Sequence, residues 1–285
     1  CDRSSLEGAI GAARLGLIRP ILVGPQHRIR DAAALAGIDL GGIPIVDAPH
    51  SHAAAAQAVE LVLKGEAEAL MKGSLHTDEL MGAVVRRDRG LRTARRISHC
   101  FVMDVPSYDQ PIIISDAAVN IQPTLEEKVD IVQNAIDLAH ALGFPEVRVA
   151  ILSAMETVNP QVPSTIEAAA LCKMAERGQI TGAILDGPLA LDNAISLHAA
   201  EIKKIDSPVA GRANVLIVPD LDAGNMLAKS LTFLAGADAA GIVLGARVPI
   251  ILTSRADSEV ARLGSCAVAV LVALARRTAP PKAVA

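Results

Sequence analysis

Short runs of Ile, Val and Leu recur along this chain, and segments with helical periodicity separate them. The runs occupy residues 20–23, 69–71, 101–103, 112–115, 147–152, 183–185, 215–218 and 248–253. Each has the length and composition of a buried strand. Strands that alternate with helices are typical of parallel sheets with right-handed crossovers, whose ligands bind beyond the carboxyl ends of the strands. The alternation therefore predicts an α/β fold.

The clearest helical pattern begins at Thr124. Thr124 and Glu127 have the spacing of a capping box, and Gly143 supplies a stop signal. The apolar residues between them follow at intervals of four and three, so they form one stripe: Leu125, Val129, Val132, Ile136 and Ala139. We expect this helix to pack one face against a core.

Residues 120–123, Asn-Ile-Gln-Pro, form a polar break between the run 112–115 and this helix. They are the candidate boundary between two domains, and a second boundary falls near Thr253. A length of 285 residues is enough for two cores of medium size. We therefore predict a first α/β domain from residues 1–122 plus 254–285 and a second from residues 123–253.

The composition excludes some partners. Hydrophobic residues make up 51% of the chain and aromatic residues only 1%, so Ala, Val, Ile and Leu must build the interior, as in helices packed on buried strands. Nucleic-acid binding uses aromatic stacking and a basic field. With no Trp and a formal net charge of -4, we expect no nucleic-acid partner.

The apolar stretches are shorter than the roughly 20 uninterrupted residues of a membrane helix, so we expect no membrane partner. The four cysteines lie far apart and form no Cys-x-x-Cys pair. This spacing argues against a zinc site or a disulfide framework and favours reduced thiols in the cytoplasm.

Three strand ends lead through small or polar residues into helices, and a helix start offers unpaired N–H groups and partial positive charge to an anion. The most favourable is the segment 254–258, where Ser254 and Arg255 follow an apolar strand. A guanidinium beside a hydroxyl gives a tetrahedral anion both charge and directional donors. The alternative is an exposed Arg255 beside an ordinary helix cap.

The other two loops are weaker candidates. Lys72 and Gly73 follow the run 69–71, where Lys72 adds charge and Gly73 lets a ligand approach the backbone; the alternative is an ordinary turn capped by Thr77. Gly224 and Asn225 follow the run 215–218 at positions where φ > 0 or an amide contact is often needed. A plain glycine loop is the alternative there.

Two further features lie close to these loops. Asp220 and Asp222 suggest a hard metal ion, but no third and fourth oxygen ligand stands nearby, so we expect no metal. Ser98 and His99 come where a basic segment turns into the run 101–103, and we expect Ser98 to face a ligand cleft. A lone histidine such as His99 is more often structural.

Several segments, taken in order, form a recognisable pattern. They are PILVG at 20–24, MKG at 71–73, SDAAVN at 115–120, VAGRANVLIVPD at 209–220, GN at 224–225, LAGA at 234–237 and SR at 254–255. In order and spacing they resemble the phosphate acetyltransferase and phosphate butyryltransferase family, and the resemblance covers nearly the whole chain.

The resemblance implies two α/β domains of the isocitrate/isopropylmalate dehydrogenase type with an active-site cleft between them, and a homodimer formed largely through the second domain. It also implies transfer of a short acyl group, acetyl or butyryl, between coenzyme A and phosphate by direct attack in a ternary complex. Coenzyme A is then a substrate, and no cofactor is tightly bound. Arg255 would hold the phosphate while Ser254 positions the reacting groups.

The chain departs from the acetyltransferase pattern at one position. Those enzymes carry an Asp seven residues after the serine, thought to take the thiol proton of coenzyme A, and Ala261 stands there. Asp257 instead follows Ser254 by three residues, as in the butyryltransferase-like branch and in bifunctional proteins with a hydratase-like domain upstream. Asp257 is therefore the candidate base, with a helix cap as its alternative role and Asp116 or Asp220 as substitutes. An upstream hydratase-like domain in the full-length chain is a further expectation.

Two other function classes remain open at this level. A metal- and nicotinamide-dependent dehydrogenase on the same fold would need clustered carboxylates and an adenine-binding segment, and the sequence has neither. A protein that only binds acyl-CoA or acyl phosphate would need no base. A turnover assay separates these alternatives from an acyltransferase.

Overall fold

The computed structural model describes residues 2–252 and 257–278. The chain divides into two compact units, the first formed by residues 1–95 and 240–285 and the second by residues 96–239. Both units contain helices and strands, so the fold belongs to the mixed α/β class.

The helices are α1 (Arg3–Arg14), α2 (Gln26–Leu35), α3 (Ser51–Leu63), α4 (Thr77–Val84), α5 (Leu125–Ala141), α6 (Pro163–Glu176), α7 (Leu191–Ile195), α8 (Leu197–Ile202), α9 (Leu221–Leu234) and α10 (Glu259–Thr278). The strands are β1 (Leu22–Gly24), β2 (Ile45–Asp47), β3 (Leu70–Met71), β4 (Ser98–Asp104), β5 (Ile112–Ser115), β6 (Arg148–Leu152), β7 (Ile184–Leu189), β8 (Val215–Ile217), β9 (Asp238–Leu244) and β10 (Ile250–Ile251). Among these described helices, none has the length and apolar character of a membrane span.

The strands of the first unit form two sets. β1 pairs with β2 in parallel, whereas β3 pairs in parallel with β10, which pairs antiparallel with β9 through Ile250 and Val243. Helix α1 packs against α2 and α10. Because β3 and β10 are parallel neighbours, their carboxyl ends lie at the same edge of the sheet.

In the second unit, β5, β8, β6 and β7 lie side by side in parallel, and β4 pairs antiparallel with β5. Helix α5 packs on β4, β5 and β8, and α6 packs on β6 and β7. The central side chains are aliphatic and fully buried, for example Ile113, Ile114 and Leu216. A core of this kind agrees with the composition, because close packing needs volume and not aromatic rings.

The predicted helix after residue 123 is confirmed as α5. The Glu127 N–H donates to Thr124 Oγ1 (3.3 Å), and the Thr124 N–H donates to Glu127 Oε2 (2.9 Å), which is the predicted capping box. Gly143 follows the helix with φ +78°, a conformation that glycine adopts without strain.

The expectation of parallel sheets is wrong for β4 and β9. β4 is antiparallel to β5, and β9 is antiparallel to β10. The connections 105–111 and 245–249 contain no helix among the elements of the structure. Connections this short cannot make a crossover, so the strands that they join must run in opposite directions.

The compact units change at residues 95/96 and 239/240, while the domains predicted above change at 122/123 and 253/254. The backbone pairing explains the difference at the first change. β4 and β5 are hydrogen-bonded to each other, and β5 is bonded to β8, so residues 98–115 belong with the strands of the second unit.

Candidate active site

Lys72 and Gly73 lie directly beyond β3 in the first unit. The Lys72 N–H donates to the Ile251 carbonyl (2.9 Å), so this loop starts beside the end of β10. The partly buried Lys72 Nζ lies 3.3 Å from the Gly73 carbonyl oxygen. Within residues 2–252 and 257–278, a Cβ added at Gly73 would meet no atom within 4 Å. No described residue therefore prevents a ligand from approaching the backbone at Gly73.

Helix α4 starts after this loop in a different way from the one predicted. Its N-cap is His76, and Thr77 is the first helical residue. The Glu79 carboxylate accepts a hydrogen bond from the His76 N–H (2.9 Å). The alternative of a turn capped by Thr77 names the wrong capping residue, because His76 is the N-cap and the carboxylate of Glu79 closes the first turn one residue earlier.

Ser254 and Arg255, the strongest site prediction, lie outside the described residues. They fall between Leu252, which follows β10, and Asp257, which precedes α10. The preceding strand, β10, is a parallel neighbour of β3. The roles of Ser254 and Arg255 stay predictions.

Asp257 stands immediately before the residue that caps α10. The hydroxyl of Ser258 accepts a hydrogen bond from the Ala261 N–H (3.0 Å), which is the N-cap geometry. The carbonyl of Asp257 accepts a hydrogen bond from Arg262 Nη1 (2.6 Å). The alternative role of Asp257 as the helix cap is therefore wrong, because Ser258 performs it.

Gly224 and Asn225 lie within α9 of the second unit and not in a loop. Helix α9 begins earlier because the Asp220 carboxylate accepts a hydrogen bond from the Ala223 N–H (2.9 Å). A Cβ at Gly224 would lie 2.6 Å from the carbonyl oxygen of Asp116. Gly224 is thus needed for close packing, and not for a positive φ as we expected.

The carboxylate of Asp116 holds the segment that follows β5 in place. Asp116 Oδ1 accepts hydrogen bonds from the N–H groups of Ala118 (2.9 Å) and Val119 (3.0 Å), and Oδ2 accepts one from Asn120 Nδ2 (2.5 Å). Asn225 Nδ2 donates to the carbonyl of Ala117 (3.3 Å). The structure thus brings Gly224 and Asn225 against residues 116–117, and a substrate contact of either residue stays a prediction.

Ser98 and His99 are buried at the start of β4. Ser98 is fully buried, and its hydroxyl accepts a hydrogen bond from Asn134 Nδ2 of α5 (2.8 Å). The His99 ring packs edge-on against Phe101, and its Nδ1 has no hydrogen-bond partner in the described part of the second unit. Burial lowers the pKa of His99 to about 4, although the nearby Asp116 carboxylate opposes the shift. Both residues are therefore packed within the second unit, as structural residues are. A substrate contact of Ser98 stays a prediction.

The thiols of the described cysteines have little nucleophilic character. Burial raises the pKa of Cys100 and of Cys172 to about 12, and that of Cys266 to about 11. At pH 8 such thiols hold far less thiolate than a free cysteine, whose pKa is about 8.5. These three cysteines are therefore unsuited to covalent catalysis.

This property can be tested with Ellman's reagent. In a Cys1→Ser variant, which removes the thiol outside the described residues, we expect the three remaining thiols to react about 10² to 10³ times more slowly than free cysteine at pH 8. Unfolding in guanidinium chloride should restore rapid reaction. Rapid labelling of any of the three in the native protein would contradict the assignment.

A cavity of about 1190 Å³ lies within the first unit. Its lining runs along the whole of β1 and β3 and includes the loops before and after both strands. Ligand clefts in such sheets gather beyond the carboxyl ends of the strands. The end of this cavity that lies beyond the carboxyl end of β3, where Lys72, Gly73 and His76 are found, has the position of such a ligand cleft.

No group of three or more His, Cys, Asp or Glu side chains is arranged for a metal ion within residues 2–252 and 257–278. The carboxylate of Asp220, a possible ligand at the level of sequence, caps α9.

The matches to known proteins include residues of both compact units. The model of a family described as "Phosphate acetyl/butaryl transferase" matches residues 50–270. A phosphate acetyltransferase from Rhizobium meliloti is 67% identical over 284 residues, which cover 100% of this chain and 90% of that protein. A phosphate butyryltransferase from Clostridium acetobutylicum is 41% identical over 272 residues, 95% of this chain and 90% of that one. The crystal structure of a branched-chain phosphotransacylase from Enterococcus faecalis V583 is 30% identical, with a TM-score of 0.76, and the match covers 89% of this chain and 98% of that chain.

Proposed function

Because the chain belongs to the phosphate acetyltransferase and butyryltransferase family, we propose that it transfers a short acyl group between coenzyme A and inorganic phosphate. The observation that carries the proposal is the family match over residues 50–270. Relatives named as acetyltransferase and as butyryltransferase both align with most of the chain. Enzymes with these names support an acyltransferase over a protein that only binds acyl-CoA, and over a dehydrogenase.

In the proposed reaction, a phosphate oxygen attacks the thioester carbonyl carbon of acyl-CoA, and the carbon–sulfur bond breaks as the acyl phosphate forms. In the reverse direction, Asp257 takes the proton from the thiol, the thiolate attacks the carbonyl carbon of the acyl phosphate, and the carbon–oxygen bond breaks to release phosphate. Arg255 binds the phosphate and Ser254 positions the reacting groups. Lys72 and Gly73 contribute to phosphate binding from the neighbouring strand end, and Ser98, Gly224 and Asn225 are proposed binding residues of the second unit.

The same proposal includes the domain organisation, the oligomeric state, the cellular location and the cofactor requirement of the protein. Two α/β domains of the isocitrate/isopropylmalate dehydrogenase type bind coenzyme A and phosphate, with the division between them near the division between the two compact units. The protein acts as a cytoplasmic homodimer, with coenzyme A as a substrate and no tightly bound cofactor. An upstream hydratase-like domain remains a prediction from the resemblance alone.

The proposal is tested by thiol release. Purified protein mixed with acetyl-, propionyl-, butyryl- or valeryl-CoA should release free coenzyme A only when phosphate or arsenate is present, and a metal chelator should not stop the release. Cys100 and Cys266 are buried and Cys172 is partly buried, so the Cys1→Ser variant should give a low background with a thiol reagent. If none of these acyl-CoAs gives phosphate-dependent release, the protein is not an acyltransferase of this class.

Arg255 offers a second test at the level of one side chain. A guanidinium binds phosphate through two parallel N–H donors, which the single ammonium of lysine cannot reproduce. We expect Arg255→Lys to lower turnover at least about thirtyfold, or about 2 kcal/mol of transition-state stabilisation, with an unchanged melting temperature. Near-normal turnover of this variant would mean that Arg255 does not bind the phosphate.

A further inference from the structure

Arg262 is a buried cation at the end of the first turn of α10. Its exposed fraction is 9%, and its Nη1 donates to the carbonyl of Asp257 (2.6 Å). Its Nε has no hydrogen-bond partner, and no carboxylate pairs with Arg262 within residues 2–252 and 257–278. Buried arginines are usually paired with a carboxylate because an isolated charge is costly to desolvate. Within the described residues, Arg262 therefore lacks the ion pair that usually accompanies a buried arginine.

The one described hydrogen bond from this side chain reaches the backbone of the proposed base. Three bonds join residues 257–258 to the first turn of α10: Arg262 Nη1 to the Asp257 carbonyl, the Ala261 N–H to the Ser258 hydroxyl, and the Arg262 N–H to the Ser258 carbonyl (3.2 Å). The first is charge-assisted, which makes it stronger than the two neutral bonds. It acts at the residue where the segment 253–256 joins the helix.

We propose that Arg262 is a positioning residue that sets the backbone of Asp257 and thereby aims its carboxylate at the thiol of coenzyme A. The proposal rests on the proposed function, in which Asp257 takes the thiol proton. Small displacements of a reacting group lower rates strongly, because catalysis depends on near-attack geometry. The charge-assisted hydrogen bond from Arg262 holds the carbonyl of Asp257 in place, and this keeps the Asp257 carboxylate in the geometry that the reaction needs.

The packing around Arg262 favours one extended path for its side chain. A Cβ added at Gly8 of α1 would lie 2.9 Å from Arg262 Cδ and 3.4 Å from Met71 Cε. The absence of a side chain at Gly8 thus gives the Arg262 side chain space to extend past the end of β3. Gly11, one turn later, is different, because its added Cβ would meet its nearest atom at 3.6 Å, an ordinary contact.

The first experiment compares two arginines of the same helix. Arg276 Nη1 also donates to backbone carbonyls, those of Ala246 (3.1 Å) and Arg247 (3.0 Å), but at the opposite end of α10. We expect Arg262→Met to lower kcat at least about tenfold while KM for acyl-CoA changes by less than about twofold. Arg262→Lys, which can still donate to the Asp257 carbonyl, should keep about a third of the wild-type kcat. Arg276→Met should keep the wild-type kcat.

The second experiment displaces the Arg262 side chain by a substitution in helix α1. Alanine has a higher helix propensity than glycine, so Gly8→Ala and Gly11→Ala should both favour α1. Only Gly8→Ala pushes on the Arg262 side chain, so we expect it alone to lower kcat, by about threefold or more. Equal turnover of the two alanine variants would overturn the proposal.

A third measurement does not depend on activity. Hydrogen exchange of a peptide that covers residues 253–258 should be faster in Arg262→Met than in wild type and unchanged in Arg276→Met. If wild type releases no thiol but this exchange difference is present, the proposed function fails while the anchoring contact stands. If wild type is active and Arg262→Met keeps its kcat, or Arg276→Met loses as much, the positioning role is wrong.

Discussion

Asp257→Asn should lower turnover at pH 7 by about 10² to 10⁴ while the melting temperature stays close to that of wild type. A thiol with a pKa of about 8.5 is mostly protonated at neutral pH, so a carboxylate that accepts its proton speeds attack on the acyl phosphate by about this factor. Asparagine has nearly the same shape as aspartate but is not a base at neutral pH.

The structure sharpens this test because it assigns the helix cap to another residue. The Ser258 hydroxyl accepts a hydrogen bond from the Ala261 N–H, so the role of Asp257 does not include the cap. Ser258→Ala is the matched variant: it should lower the free energy of unfolding by about 1 kcal/mol, with a far smaller effect on turnover than Asp257→Asn. The two neighbouring positions should therefore separate stability from chemistry.

The dependence on pH identifies the base more directly. As the pH rises from 7 towards 9, coenzyme A forms thiolate without help, so the rate of Asp257→Asn in the direction that consumes coenzyme A should approach that of wild type. Wild-type turnover of Asp257→Asn at pH 7 would show that Asp257 is not the base. Asp220 caps α9 and Asp116 accepts hydrogen bonds from its own turn, so both substitutes already have structural roles.

Much of the fold could be predicted from local patterns. The capping box of Thr124 and Glu127 forms as expected, because capping depends only on neighbouring residues. The strands β2 and β9 were not predicted, because β2 has only two aliphatic residues before its Asp and β9 begins with Asp, Ala, Ala and Gly, which are weak strand formers. The antiparallel direction of β4 was missed as well, since an apolar run shows that a strand is buried but does not show which way its neighbours run.

The candidate site was less predictable, because packing between elements decides it. Gly224 suggested a loop, but its lack of a side chain lets α9 approach the backbone at Asp116. Ser98 suggested a cleft residue, yet its hydroxyl is buried against Asn134, which is 36 residues further along the chain. Arg262 carried no motif at all, and its position became evident only from its burial and its hydrogen bond to Asp257.

The second large effect concerns the stability of the second unit. Lys128 of α5 forms an ion pair with Glu167 of α6. The lysine side chain is 6% exposed and that of the glutamate is 29% exposed. Water can therefore solvate the glutamate if its partner is lost, but it cannot reach the ammonium group of Lys128 to the same extent. The two single substitutions should differ in their effects for this reason.

We expect Glu167→Ala to lower the free energy of unfolding by about 3 to 5 kcal/mol, because it leaves a buried cation without its counter-charge. Lys128→Met should lower it much less, since methionine fills a similar volume without a charge and Glu167 gains solvent. The double variant should resemble Lys128→Met, because no buried charge remains. Urea unfolding at pH 7 followed by circular dichroism measures all three values.

A control on α6 separates this effect from a general response of the helix to alanine. Lys173 and Glu176 form an ion pair with both side chains about 60% exposed, and exposed pairs add little to stability. Glu176→Ala should therefore unfold at nearly the same urea concentration as wild type. If Glu167→Ala behaves like Glu176→Ala, the Lys128 ammonium reaches solvent or another acceptor, and the ion pair does not hold α5 and α6 together. If Lys128→Met is as unstable as Glu167→Ala, the loss comes from packing at this position and not from an unpaired charge.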